Sequence, residues 1–449
     1  MALITPTDDQ RSALEADGPL VAVAAGAGSG KTTLLVERIW RDMTVDGLPV
    51  ERLFVACFNR AAAAHLVERL QRRFADPEHG WPAGRARLDL SAGWIGTFHS
   101  LSARIAREHP LTAGVDPLFG EIDEGEAAAL QDEAFARALA LVDPPGALDL
   151  LASGSSTDRV RTSVRETYAQ LRAAGHAVPR IPAPPPPDPS LEGARADLAA
   201  RIVDLAARAD INKHHRNGIE KLAPLLVGRA LGDKAPALNR NAQATVREEI
   251  TAVNDLIERV WQALIDERAR EQLAGFTALF DAFAAEYATL KRTRGLLDFD
   301  DLQFAALRVL EGGHPYRFAR VYVDEFQDVN GLQNRIVDAL GAPRVMVVGD
   351  GAQAIYGFRH ADPEHLLARL RAGTKAELRD NHRSQKPLMD ALNALLGRVM
   401  AGQPVFRELR SRARPDPDAP DLSPTPVELI ALRSSDGARV TRAQRAAGG

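Results

Sequence analysis

Short, nearly continuous apolar runs alternate with amphipathic segments in two separate parts of the chain. Three such runs occupy residues 20–24, 53–57 and 94–98, and two more occupy residues 321–324 and 344–349. Apolar runs of this length are typical of strands buried on both faces of a parallel sheet. The amphipathic segments that follow them predict helices. The sequence therefore predicts an α/β fold built on a parallel sheet.

A different pattern separates the two parts. Across residues 121–290 alanine, leucine, glutamate and arginine recur at helical spacing, which predicts a long helical insertion that splits the sheet. Within it, the proline-rich residues 178–189 predict an extended spacer, with a docking ligand for a proline-reading module as the alternative. The predicted segments are 1–120 and 291–375 for the two parts of the α/β domain, 121–290 for the insertion, and 376–449 for the incomplete start of a further domain with a disordered tail.

Composition narrows the class of protein without naming a partner. Of the 449 residues 45% are hydrophobic and 26% charged, which is typical of a globular chain rather than a disordered one. The net charge of -4 gives no global attraction to polyanions, although a local positive groove is compatible with it. The single cysteine, Cys57, rules out an internal disulfide. The sequence has neither a secretory signal pattern nor an apolar run of membrane-spanning length, so we expect a cytoplasmic protein without a membrane partner. The adjacent His214 and His215 have no acidic or cysteine partners nearby, so we expect a solvated polar face rather than zinc.

A glycine-rich loop follows the first apolar run and precedes a helical segment. Glycines at this position let backbone N–H groups converge on phosphate oxygens at a helix N-terminus. Lys31 is expected to reach the β- and γ-phosphates of ATP, and the Thr32 hydroxyl is expected to join the shell of Mg²⁺. A plain glycine-rich turn is the alternative. The predicted nucleotide-binding residues of the loop are Ala25, Gly26, Ala27, Gly28, Ser29, Gly30, Lys31, Thr32 and Thr33.

Two adjacent carboxylates end the apolar run 321–324. Metal-assisted phosphoryl transfer needs such groups, so we expect Asp324 to hold Mg²⁺ and Glu325 to act as the general base for the attacking water. A solvated acidic strand end is the alternative. A second acidic cluster, at Asp298, Asp300 and Asp301, predicts a helix N-terminus rather than a metal site.

The order of these motifs resembles that of the UvrD/Rep (PcrA-like) superfamily-one DNA helicases. The resemblance extends from the N-terminus to about residue 400 and is most distinctive in residues 323–328 and 348–359. It implies a RecA-like P-loop NTPase sheet in the motor domain, followed by the start of a second RecA-like domain. It also implies roles for five further residues at the nucleotide. Gln10 would read adenine, Arg38 would pack on its face, Gln353 would sense the γ-phosphate, Arg383 would contact that phosphate, and His382 would stack where the family usually has tyrosine.

The same resemblance implies a path for single-stranded DNA. Aromatic side chains there would stack on bases, which is tolerant of sequence and is worth roughly 1–3 kcal/mol per base. The residues that it assigns to DNA are Phe58, Asn59, Arg60, Thr97, His99, Tyr356, Phe358 and Arg359.

Two family motifs that would follow residue 400 have no counterpart here, and one of them supplies an arginine finger to the γ-phosphate. We therefore expect a C-terminally shortened chain with weak hydrolysis and no unwinding. The leading hypothesis is an ATP-dependent 3′–5′ DNA helicase whose partners are single-stranded DNA or single/double-strand junctions, together with repair or replication proteins. The alternatives are a non-motor ATP-binding protein that interacts with DNA, and an unrelated phosphate-loop ATPase.

Overall fold

The computed structural model describes residues 6–76, 90–142, 156–211, 213–228, 234–239, 244–403 and 405–413. Its strands are β1 Leu20–Ala25, β2 Leu53–Cys57, β3 Trp94–Thr97, β4 Gly120–Glu121, β5 Leu296–Leu297, β6 Arg320–Val323, β7 Val345–Gly349, β8 Thr374–Leu378, β9 Asp380–Asn381 and β10 Arg410–Ser411. Its helices are α1 Asp8–Glu15, α2 Lys31–Thr44, α3 Arg60–Phe74, α4 Phe98–Glu108, α5 Pro110–Ala113, α6 Glu124–Leu141, α7 Thr157–Ala173, α8 Leu191–Ala207, α9 Lys213–Glu220, α10 Ala223–Leu226, α11 Ala244–Thr293, α12 Phe299–Glu311, α13 Gly331–Ala339, α14 Glu364–Ala372 and α15 Lys386–Val399.

The described residues form two compact units. The first contains the described parts of residues 1–119, 173–175 and 299–449, and the second those of residues 120–172 and 176–298. The chain thus leaves the first unit, builds the second, and returns. The four predicted segment boundaries stay a prediction.

A six-stranded sheet in the order β3-β2-β6-β7-β1-β8 forms the centre of the first unit. All of its pairings are parallel, from Val55 opposite Ile95 at one end to Val23 opposite Ala376 at the other. Because all strands point the same way, the loops after β1, β2, β6 and β7 meet at one edge of the sheet, where ligands bind in open α/β sheets. The prediction of an α/β fold with a parallel sheet is confirmed.

The edge strand β8 was missed by the sequence analysis. Ala376 and Leu378 are buried, whereas Lys375 is exposed and Glu377 half-buried on the other face, and β8 pairs with β1 alone. An edge strand that buries one face lacks the continuous apolar run used to find the other strands.

The second unit is helical and has two apolar clusters. The 50-residue helix α11 contributes Ile250, Val253 and Ile257 to one cluster, and Phe280 and Phe283 to the other. The predicted helical insertion that splits the sheet stays a prediction. Residues 178–189 contain neither helix nor strand. No helix in the described part of the chain is long and apolar enough to cross a membrane.

One prediction about the second unit is wrong. His215 is buried, and its Nε2 lies 3.0 Å from the carbonyl oxygen of Asn239, whereas the neighbouring His214 is exposed. His215 lies four residues before Ile219 on α9, and Ile219 packs against an apolar cluster that contains Ile211 and Leu238, so helical spacing turns His215 inward. No group of three or more potential metal ligands occurs among the described histidine, cysteine, aspartate and glutamate residues.

Candidate nucleotide and nucleic-acid site

The loop after β1 has the backbone shape of a phosphate cradle. Gly28 and Gly30 have φ values of 65° and 89°, a left-handed conformation that favours glycine. A Cβ on Gly28 would lie 2.8 Å from the Cβ of Arg383, and one on Gly30 would lie 2.7 Å from Nε2 of Gln10. The Ser29 hydroxyl donates to the carbonyl oxygen of Gly26 at 2.7 Å and fixes the turn. Helix α2 begins at Lys31, so its N-terminus faces the loop, where an anion is stabilised.

Lys31 and Glu325 meet at this edge of the sheet although 294 residues separate them in the chain. The Lys31 Nζ lies 2.5 Å from Glu325 Oε2. The lysine side chain is mostly buried and the glutamate side chain is 31% exposed. Two residues from separate motifs thus form one charged pair beside the phosphate loop.

Glu325 holds its carboxylate there through an unusual backbone. Its φ of 50° is left-handed, one of two such values at non-glycine residues in the described chain. A bulky residue in this conformation costs of order 1 kcal/mol or more, and such strain concentrates at functional sites. The turn ends β6 abruptly and directs Glu325 back toward Lys31.

Asp324 is buried directly before this turn. Its oxygen Oδ1 accepts a hydrogen bond from the Glu325 N–H at 3.0 Å. Burial, followed by the neighbouring charge of Glu325, raises the pKa of Asp324 to about 6. The buried carboxylate is therefore undercompensated by nearby cations, with Lys31 as the opposing charge. A divalent cation would supply that compensation.

These groups fit Mg²⁺ by their chemistry. Asp324 offers a carboxylate and Thr32 a hydroxyl, and Mg²⁺ is usually bound by one or two carboxylates together with phosphate oxygens and waters. Such a site needs no cluster of protein ligands, and the described residues contain none.

The residues expected around adenine and the γ-phosphate of ATP make contacts within the protein. Gln10 is buried and donates through Nε2 to the carbonyl oxygen of Ser29 at 3.2 Å, while its Oε1 accepts from the Thr7 N–H at 3.2 Å. Arg38 donates from Nη1 to the carbonyl oxygens of Leu14 at 2.6 Å and Ala16 at 3.0 Å, at the end of α1.

The segment after β8 reaches the phosphate loop through its backbone. The His382 N–H donates to the carbonyl oxygen of Gly28 at 2.9 Å, while the His382 and Arg383 side chains are exposed. The Thr33 hydroxyl accepts a hydrogen bond from Arg69 Nη2 at 2.7 Å. The Thr33 side chain therefore faces α3.

Three aromatic side chains from distant parts of the chain lie together at the same edge. The ring centroids of Phe58 and Tyr356 are 4.6 Å apart, and those of Tyr356 and Phe358 are 5.7 Å apart. Phe358 is 76% exposed, and Ile355 beside it is 71% exposed. Large exposed apolar groups in a contiguous patch mark interaction surfaces.

The other residues assigned to DNA have more local contacts. Asn59 caps α3 by accepting the Ala62 N–H at 2.8 Å, and the buried Thr97 caps α4. The His99 ring lies 4.5 Å from the Phe299 ring, centroid to centroid. Arg60 is exposed, and the side chain of Arg359 lies outside the described residues.

A sequence model of the UvrD/REP helicase N-terminal domain matches residues 6–372. This chain belongs to the UvrD/REP helicase family. Among curated proteins, it is 28% identical to an ATP-dependent helicase/nuclease subunit of Exiguobacterium sibiricum, over 88% of this chain and 40% of that protein. It is 27% identical to the protein of the same name from Staphylococcus aureus, over 96% of this chain and 42% of that protein. The chain thus spans about two fifths of the length of these relatives.

Two residues of this UvrD/REP chain have structural roles that the sequence analysis did not assign. Asn381 donates from Nδ2 to the carbonyl oxygen of Ala27 at 2.7 Å, and its Oδ1 accepts the N–H groups of Arg383 at 2.8 Å and Ser384 at 2.7 Å. Gln327 makes a comparable set of bonds beneath Glu325. Gln327 lies in the distinctive segment 323–328 and Asn381 directly precedes His382, so their positions were a signal, but the bonding partners of an amide cannot be inferred from its neighbours in sequence.

Proposed function

We propose that this chain is the ATP-hydrolysing motor part of an ATP-dependent DNA helicase, with hydrolysis stimulated by single-stranded DNA. The observation that carries the proposal is the contact between Lys31 and Glu325 at the phosphate loop. The family assignment supports the helicase class, and the exposed aromatic cluster beside the site supports a single-stranded ligand. Translocation in the 3′–5′ direction is part of the proposal.

ATP must replace the contact between Lys31 and Glu325. A triphosphate seated on the loop places its β- and γ-oxygens where Lys31 can bind them, as a phosphate-loop lysine does. Lys31 then exchanges the carboxylate for phosphate. Glu325 loses its cation and becomes available to accept a proton from the attacking water. In this proposal the ion pair with Lys31 keeps the Glu325 carboxylate occupied until a triphosphate replaces it.

Asp324 and Thr32 would hold Mg²⁺ beside the phosphates. The metal would supply charge neutralisation for the phosphate oxygens during transfer. Gln353 and Arg383 are the proposed contacts to the γ-phosphate, and His382 is the proposed stacking partner for adenine. Gln10 would give up its hydrogen bond to the carbonyl oxygen of Ser29 and bond to adenine instead.

DNA would be bound by the aromatic cluster of Phe58, Tyr356 and Phe358. Stacking on these rings gives affinity without sequence preference, as a translocating protein needs. The matched relatives are named as components of helicase/nucleases, so we include a protein partner in the proposal.

The test is ATP hydrolysis by this chain with and without an unstructured oligonucleotide, beside a Glu325→Gln variant. We expect DNA to accelerate turnover and the variant to lose about 10²–10⁴-fold in rate while it still binds ATP, because only the proton acceptor is removed. ATP binding without DNA-stimulated turnover would instead support a non-motor ATP-binding protein. Strand displacement on duplexes with 3′ or 5′ overhangs tests the direction.

A further inference from the structure

Gln327 is a buried glutamine at the edge of the sheet where the loops after β1, β2, β6 and β7 meet. The residue is 2% exposed. Nε2 donates to Glu325 Oε2 at 2.9 Å and to Asp328 Oδ2 at 3.1 Å, and Oε1 accepts the Asp350 N–H at 2.8 Å. One side chain thus bonds to the proposed general base and to the end of the next strand of the sheet.

The bond to Glu325 matters most when ATP is present. Glu325 Oε2 accepts from Lys31 at 2.5 Å and from Gln327 at 2.9 Å. When Lys31 turns to the phosphates, Gln327 still has a donor within reach of that oxygen. A catalytic group must be held close to its working geometry, because a misplacement of about 1 Å can cost about 10²-fold in rate.

The bond to Asp350 leads toward the aromatic cluster. Asp350 Oδ1 accepts the Ala352 N–H at 3.1 Å, and its Oδ2 accepts from Gln353 Nε2. These bonds fix the turn Gly351–Gln353, which the chain leaves directly into Tyr356 and Phe358. Hydrogen bonds therefore connect the turn before the aromatic residues to Asp350, and Asp350 to Gln327. A movement of the aromatic residues can reach Gln327 through these bonds.

The space around Gln327 is fitted to its amide. A Cβ on Gly349 would lie 2.6 Å from Gln327 Oε1 and 3.2 Å from the Gln327 backbone nitrogen. Only a residue without a side chain allows β7 to approach the amide this closely. The close contact thus requires both the Gln327 amide after β6 and the absence of a side chain on Gly349 at the end of β7.

We propose that Gln327 is a positioning residue that aligns Glu325 and couples this base to the DNA-binding aromatic segment. The inference rests on the proposed function, because it assumes that Glu325 is the base and that Tyr356 and Phe358 meet DNA. It adds the means by which DNA at one place alters hydrolysis at another.

The experiment compares Gln327→Met with Gln303→Met in the same chain. Gln303 is a matched control, because it is a glutamine 1% exposed in the same unit, and its Nε2 donates within α12, to the carbonyl oxygen of Phe299 at 3.2 Å, rather than to a residue of the nucleotide site. For each variant we measure the Kd for ATP, the rate of hydrolysis without DNA, and the rate at saturating oligothymidine. Thermal unfolding confirms that each variant is folded.

For Gln327→Met we expect the DNA-stimulated rate to fall about 10- to 100-fold and the ratio of stimulated to basal rate to fall with it. The Kd for ATP should change less than about threefold, since the phosphate loop is untouched, and Gln303→Met should resemble the native chain. A folded Gln327→Met with native stimulation overturns the inference. If Gln327→Met does not fold, Gln327→Asn, which keeps an uncharged amide but is one methylene too short to bond to both Glu325 and Asp350, must show the same loss.

The two proposals fail in different ways. If the native chain shows no DNA-stimulated hydrolysis, the proposed function itself fails before any variant is compared. If the native chain is stimulated and both Gln327 variants are stimulated equally well, the motor stands and the coupling role of Gln327 is wrong.

Discussion

The nucleotide side and the aromatic side of the same sheet edge are prepared for their ligands in opposite ways. On the nucleotide side, Lys31 bonds to Glu325 and Gln10 bonds to Ser29. On the aromatic side, Phe358 is 76% exposed. A ligand on the first side must replace bonds within the protein, whereas a ligand on the second meets an open surface. The difference suggests selective, strongly oriented binding of ATP and tolerant binding of DNA.

The largest effect is expected on ATP affinity at the nucleotide side. Lys31→Ala removes the cation for the β- and γ-phosphates, so we expect ATP affinity to fall by about 2–5 kcal/mol, the cost of deleting one partner of a buried charge pair. Equilibrium binding of a fluorescent ATP analogue measures it. Lys386→Ala is the matched control, because its ammonium is exposed and pairs with Asp390 four residues along a helix. Native ATP affinity in Lys31→Ala would show that the phosphate site is assigned wrongly.

A smaller effect is expected on the aromatic side. Phe358→Ala should weaken single-stranded DNA binding by about 1–3 kcal/mol and leave ATP affinity unchanged, because the ring is free to stack on bases and packs beside Tyr356 rather than against the phosphate loop. Fluorescence anisotropy with a labelled oligothymidine measures the change. Val399→Ala, at another exposed apolar side chain of the same unit, controls for lost surface area. Equal DNA affinity in both variants would place the DNA elsewhere.

The site residues that lie in short local motifs could be predicted from the sequence. The glycine loop, Asp324 and Glu325 each lie within a short motif that follows a buried strand, so their place at the sheet edge follows from the direction of parallel strands. The strand β8 was missed because it buries only one face.

Partners across long sequence distances could not be predicted in the same way. Asn381 bonds to Ala27 across 354 residues, and Gln327 bonds to Asp350 across 23. Nothing in the local spacing states which backbone group an amide will meet. The burial of His215 was not predicted either, because its partner, the carbonyl oxygen of Asn239, lies 24 residues along the chain, although its spacing of four residues from Ile219 was a signal.

The smallest effect is expected on the stability of the folded protein. A site that keeps Asp324 ionised and buried without its ligand should cost folding free energy, whereas the open aromatic side has no such cost. Burial and Glu325 raise the pKa of Asp324 in the folded state to about 6 from an ordinary 3.8. The folded protein therefore binds more protons than the unfolded chain between these pH values, and its stability falls as pH rises through that window. Asp324→Asn removes the charge and should raise the free energy of unfolding at pH 7 by about 1–2 kcal/mol, below the roughly 3 kcal/mol of the full shift because the amide remains buried.

Urea unfolding of both chains without nucleotide or Mg²⁺, at pH 4 and pH 7, measures this difference. It should be largest at pH 7 and nearly vanish at pH 4, where the carboxyl group is largely protonated in the folded protein and partly so in the unfolded chain. Asp390→Asn, at an exposed carboxylate on α15, controls for the loss of one negative charge. A variant that is less stable than the native chain at pH 7 would show that Asp324 is already compensated in the empty site. A more stable variant that no longer hydrolyses ATP would show that the buried Asp324 carboxylate lowers the stability of the protein and is retained because hydrolysis requires it.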